Sequence, residues 1–169
     1  MKKRRIILFT SLAILIIGYL IPEKVVMPVV GATSKDYHPD SFWYYPWGRS
    51  VTHKGVDVFA DKGTLIQTPC NGLVLYKGNL SMGGNVVMIL GPKWRFHYLA
   101  HLDEIESSFL DFVSDGEIVG TVGDSGNAKG KPPHLHYSII TPIPYIWRVD
   151  SSKQGWKKMF YLNPIDKMR

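Results

Sequence analysis

The chain has 169 residues, 45% of them hydrophobic, enough for one globular domain with a buried core and a short appendage. Its formal net charge is +6, but Lys2, Lys3, Arg4 and Arg5 carry four of those charges and leave +2 for the rest, so the basic balance argues for no nucleic-acid partner. Cys70 is the only cysteine, which excludes an internal disulfide framework and a thiolate zinc cluster and leaves any metal to histidines and carboxylates.

The four basic residues precede an uncharged apolar run, Ile6 to Ile21, which Pro22, Glu23 and Lys24 close. A charged start followed by such a run reads as an export segment with everything after it outside the cytoplasm. Residues 1–30 are therefore expected to form a membrane anchor or signal segment, read here as an uncleaved single-pass anchor in preference to a cleaved leader of a secreted or periplasmic protein. Residues 31–48 follow as a connector dense in aromatics, among them Tyr37, Trp43, Tyr44 and Trp47, which are expected to pack over the edge of the domain. His38 reads as a surface histidine.

Residues 49–169 make the main domain, and their pattern is strand and turn. Gly55–Phe59 alternates, with Val56 and Val58 on one face and Asp57 on the other. Leu65-Ile66 and Leu73–Tyr76 flank Pro69-Cys70-Asn71-Gly72, a hairpin signal, with Cys70 a small buried residue at the turn. Val86–Leu90 ends at Gly91-Pro92, and Arg95–Leu99 returns. Leu102–Phe112 is the one stretch expected to be helical or irregular, and Glu117–Val122 is another short strand. A glycine-rich loop, Asp124–Lys131, then enters Pro132-Pro133-His134-Leu135-His136-Tyr137. The two prolines hold the chain extended there, so His134 and His136 share one strand face and Leu135 takes the other. Short strands separated by Gly and Pro turns predict an all-β, mainly antiparallel fold behind one N-terminal hydrophobic helix.

His53 and Asp57 are four apart, roughly 13 Å on a straight strand, which is too far to share a metal unless the chain bends; Gly55 lies between them and permits the bend. Two histidines and a carboxylate with a fourth position open are the ligand chemistry of a catalytic zinc site. Phe96-His97-Tyr98-Leu99-Ala100-His101-Leu102 adds two more histidines that face the same way on a regular strand, and periodicity does not choose between them.

Taken together, His53-x-x-x-Asp57, Tyr98-Leu99-Ala100-His101-Leu102, and Gly120–Ala128 leading into Pro132-Pro133-His134-Leu135-His136 resemble the lysostaphin-type (LytM-like) zinc metalloendopeptidases that act on bacterial peptidoglycan. The likeness spans about Arg49 to Ile140, with Leu162-Asn163-Pro164 similar to the family's usual end. It implies a compact antiparallel β domain with a groove across the metal, with Zn2+ held by His53, Asp57 and His136 and with His101 and His134 as the catalytic pair. His97 matches no functional position. The implied activity is hydrolysis of peptide bonds in peptidoglycan by a zinc-activated water assisted by the two histidines. A non-catalytic relative of the same fold that binds and activates a cell-wall amidase is the alternative, and a general protein protease shares the chemistry. Expected partners are the peptidoglycan peptide, the membrane through the N-terminal segment, and cell-wall regulators.

Overall fold

The computed structural model describes residues 2–168. The N-terminal run forms one helix, α1 (Lys2–Leu20), whose apolar side chains are exposed on every side. Among the described residues no helix is long and apolar enough to cross a membrane. After α1 the described residues form nine strands: β1 (Val56–Phe59), β2 (Leu65–Gln67), β3 (Gly72–Leu80), β4 (Gly84–Leu90), β5 (Phe96–Ile105), β6 (Phe112–Val113), β7 (Ile118–Val122), β8 (His134–Ile140) and β9 (Tyr161–Leu162). They form a single sheet in the order β1-β8-β5-β4-β3-β6, with β9 beside β8, β7 beside β5 and β2 beside β7. Every strand pair is antiparallel, as the Gly- and Pro-punctuated pattern predicts.

The core lies on one face of β1, β8 and β5. Val56, Val58, Leu99, Leu135, Tyr137 and Ile139 are all fully buried, and they alternate with the residues that face the site. At about 1.5–3 kcal/mol for each fully buried large apolar side chain, this face fixes the register of the strands that carry the functional groups.

Two expectations change. The turn at Asn71-Gly72 does not join β2 to β3, since β2 pairs with β7, and β3 pairs with β4 and β6. Gly72 instead leaves room for Ile89 and the Leu90 carbonyl, and the Asn71 side chain accepts from the Asp115 amide at 2.8 Å. The hairpin falls at 81–83 between β3 and β4, with Gly84 at φ +63°, a conformation glycine adopts without strain. Leu102–Phe112 contains no helix: β5 runs on to Ile105, and Ser108–Asp111 is a tight turn.

The segment after α1 packs into the domain. Val25 and Val29 are core residues, and the Val30 and Gln67 amides exchange bonds with Leu65 and Pro28 across β2. Glu23 is buried in an ion pair with Arg95, which also donates to the Tyr145 hydroxyl at 3.0 Å. His97 lies on this core face, hydrogen-bonded to Tyr137 at 2.7 Å, and burial pushes its imidazole down to about 3, so it stays neutral. Removing one partner of a buried ion pair strands the other charge. Glu23→Ala should therefore cost about 3–5 kcal/mol, read as a shift in the urea unfolding midpoint.

Candidate metal centre and cleft

β1 and β8 are paired so that Asp57 stands directly opposite His136, and Phe59 opposite His134. Directly opposed residues of an antiparallel pair share a face, so this register brings a carboxylate and two imidazoles together from strands far apart in sequence. His53 precedes β1. Its backbone is held by the connector, with its amide donating to Tyr44 at 3.0 Å and its carbonyl accepting from Trp43 at 2.6 Å. Gly55 allows the chain to lean from His53 into β1, because a Cβ there would strike the Tyr137 carbonyl and lie 3.0 Å from the His136 ring.

The result is a triangle of ligand atoms. His53 Nε2 is 3.0 Å from Asp57 Oδ1 and 3.1 Å from His136 Nδ1, and His136 Nδ1 is 2.7 Å from Asp57 Oδ1. The far side of each ring decides what faces the centre. His53 Nδ1 lies 3.0 Å from the Ser41 carbonyl, which can only accept, so the proton sits on Nδ1 and Nε2 is a bare lone pair. Ser138 Oγ gives its proton to the Lys54 carbonyl at 2.8 Å, so its contact with His136 Nε2 at 3.0 Å requires a proton on Nε2 and leaves Nδ1 bare. Burial would raise the Asp57 carboxyl, but the two imidazoles facing it outweigh this and hold it well below the usual carboxylate range. Three lone pairs thus converge, a set that needs either extra protons on the rings or a cation at its centre. These donor types and outer hydrogen bonds fit Zn2+.

The other two predicted residues flank the triangle. His134 precedes His136 by two residues on the same face, with Nδ1 2.8 Å from the Pro132 carbonyl and Nε2 3.9 Å from Asp57 Oδ2. His101 arrives by an irregularity. Asn85 pairs with Leu102 and Val86 with Ala100, so His101 is the extra residue of a β-bulge, with φ +69°. The bulge turns His101 to the site face while His97 points into the core, so the two do not face the same way as a regular strand would have them. His101 Nδ1 donates to the Ser125 carbonyl at 2.9 Å, leaving Nε2 bare, and its ring centroid lies 5.0 Å from that of His134. Burial, and then the nearby His136 and His134, push the His101 imidazole down to about 4, so it is neutral near pH 7.

A cleft of about 690 Å³ runs over this group, with walls that include Trp47, Lys54, Met82, Tyr98 and Asn127. The connector divides its work: Trp43 is buried and donates to the Lys153 carbonyl at 3.1 Å, whereas Trp47 stacks on His53 at 4.2 Å and residues 46–50 line the cleft. The roles of Ser41, Ser138, Ser125 and Pro132 in orienting the four imidazoles escaped the sequence reading. Only Ser138 carried a signal, since it lies two residues beyond His136 on the same strand face. His38 is exposed and away from the site. Cys70 is buried, its thiol pushed up to about 12 chiefly by that burial, so it offers no thiolate.

A β domain with a His-Asp-His centre and two attendant histidines has the donor set of a metal site flanked by proton-transfer groups. Residues 51–146 match the model of Peptidase family M23, and the chain belongs to that family. Over 99 residues it is 36% identical to the L-Ala--D-Glu endopeptidase of Bacillus subtilis, a match covering 54% of this chain and 30% of that protein. It is 25% identical over 151 residues to the murein hydrolase activator NlpD of Salmonella dublin, covering 76% of this chain and 39% of that one. Its fold is similar to the catalytic domain of the antimicrobial peptidase lysostaphin from Staphylococcus simulans, with a TM-score of 0.57, 25% identity, and coverage of 64% and 86%. The chain thus spans well under half the length of these two curated relatives.

His136→Ala should abolish zinc binding by the purified chain, measured by metal analysis after dialysis. Ser138→Ala, which removes the hydroxyl holding the His136 tautomer together with its bond to the Lys54 carbonyl, should weaken zinc by about 10–100-fold in a chelator competition.

Proposed function

We propose that this chain is a zinc-dependent endopeptidase that hydrolyses peptide bonds of bacterial peptidoglycan, with His53, Asp57 and His136 holding the metal and His101 and His134 handling protons. One observation carries this reading. Five polar groups meet at the floor of one open cleft, and the outer hydrogen bonds of His53, His101 and His136 leave a bare ring nitrogen turned inward. Zinc bound there would act as a Lewis acid, lowering the pKa of water to about 7 and polarising a scissile carbonyl.

The chain's own groups do the rest. Neutral His101 offers Nε2 to take a proton from the attacking water, since its Nδ1 is committed to Ser125. His134, likewise held through Nδ1, faces the same space and completes the second proton transfer, to the leaving amine. Arg49, Lys54 and Lys131 also line the cleft, against Asp57 as its one carboxylate among the described residues. That balance suits the carboxylate-bearing peptides of the bacterial wall. Such a substrate places the domain outside the cytoplasm, with α1 and its basic start holding it at the membrane.

The match to an activator supports a second reading, in which the fold binds and switches on a separate wall amidase. The complete set of five groups favours the enzyme. Incubating the zinc-loaded chain with purified peptidoglycan and identifying the fragments by mass separates the two: the enzyme releases peptide fragments alone, whereas the activator releases none without an added amidase. His134→Ala and His101→Ala should each keep about one zinc per chain while turnover falls by roughly 10²-fold or more. A reporter fused after Arg169 should be active only outside the cytoplasm.

A further inference from the structure

From Ile6 to Ile21 the chain is broken only by Thr10, Ser11, Gly18 and Tyr19, and its large apolar side chains are exposed round the whole circumference of α1. A protein groove covers one stripe of a helix, whereas a helix apolar on all sides suits a medium that surrounds it, which is lipid. The 16 residues of this stretch span about 24 Å, short of a hydrocarbon layer of about 30 Å. The domain supplies apolar surface where the deficit falls.

The strand register shows where. Phe112, Leu73, Leu90, Phe96 and Ile140 are paired in one row across five strands, at one end of the sheet. The root of α1 meets that end. Trp94 leaves no room for a Cβ at Gly18 and donates to the Leu15 carbonyl at 2.9 Å, while Lys93 reaches the Tyr19 carbonyl at 3.1 Å. Gly18, Ile21, Trp94, Leu73 and Phe112 line a common groove of about 360 Å³. Beyond it, a turn closed by the Ser108 amide on Asp111 Oδ2 at 2.5 Å holds out Phe109, Leu110 and Phe112, which are 60%, 54% and 85% exposed. On the other flank, the Tyr145 hydroxyl accepts from Arg95 at 3.0 Å, and the next two residues, Ile146 and Trp147, are 69% and 75% exposed. Large apolar and aromatic groups thus surround the helix root, a placement suited to the bilayer interface.

We infer that this end of the β domain, carrying Trp94, Phe109, Leu110, Phe112, Ile146 and Trp147, is a lipid-contacting face that seats the domain on a bilayer around the root of α1. The inference rests on the membrane placement of α1 given above and not on the chemistry of the cleft. Its consequence is a set height for the site. His136 and His134 stand four and six residues up β8 from Ile140, roughly 13 and 20 Å, so the cleft would work in the layer just outside the lipid.

The test uses the intact chain and vesicles of phosphatidylethanolamine and phosphatidylglycerol. In a Cys70→Ser background, Phe112→Cys and, as a control beside the cleft, Lys129→Cys carry an environment-sensitive fluorophore. On vesicles the label at 112 should be quenched by lipids spin-labelled near the headgroup and shielded about threefold or more from aqueous iodide, while the label at 129 should change little. In the unlabelled chain, Phe112→Asp with Trp147→Asp should weaken vesicle partitioning by about tenfold or more. Equal iodide access at 112 on and off vesicles, unchanged partitioning of the double variant, or no vesicle binding by the parent chain overturns the inference. Peptidoglycan digestion plays no part in the readout, so failure of the peptidase reading leaves this result standing, and the reverse holds too.

Discussion

The site depends on the register of two strands. Asp57 opposes His136 because β1 and β8 are antiparallel and aligned at that pair, and a slip of β1 by one residue against β8 would send Asp57 to the core face and away from His136. What prevents the slip is the other face. Val56, Val58, Leu135, Tyr137 and Ile139 are fully buried, and exposing several of them would cost far more than any gain at the centre. The polar constellation is thus held in place by apolar burial on the reverse of the same strands.

Holding is not the same as orienting. Each imidazole at the site has one nitrogen tied to a fixed acceptor: the carbonyls of Ser41, Ser125 and Pro132, and the hydroxyl of Ser138. Three of the four acceptors are backbone, so they persist whatever side chain occupies those positions. They also select the tautomer that turns a lone pair inward, which is what a metal ligand or a general base requires.

His101 shows a local strain set against tertiary gains. A non-glycine residue with positive φ costs of order 1–3 kcal/mol. Around it the His101 amide donates to the Gly83 carbonyl at 2.8 Å, Ser125 Oγ donates to the Leu102 carbonyl at 2.7 Å, and the Asn85 amide donates to Ser125 Oγ at 2.9 Å. The 124–131 loop can approach so closely only because Gly84 and Gly126 lie against each other with no room for a Cβ at either. The glycine-rich loop therefore serves to lock the bulge that aims His101.

Much of this was legible in the sequence. Alternation about Asp57 and about Leu135 gave the strands and their faces, because side chains two apart on a strand must share a side. The lone cysteine limited the ligand types to histidine and carboxylate, and the combined motif order pointed to the family. Other features were decided by pairing between distant segments. The choice of His101 over His97 follows from a single unpaired residue in β5, which periodicity cannot detect because a bulge reverses the very alternation it relies on. The failure of Asn71-Gly72 to form a hairpin has the same origin, since β2 found β7 rather than its sequence neighbour. The acceptors for the imidazole protons are backbone carbonyls, and a carbonyl carries no sequence signature. Residue types by themselves determined which groups were available for chemistry here; only the folded chain decided which of them meet, and which nitrogen each one presents.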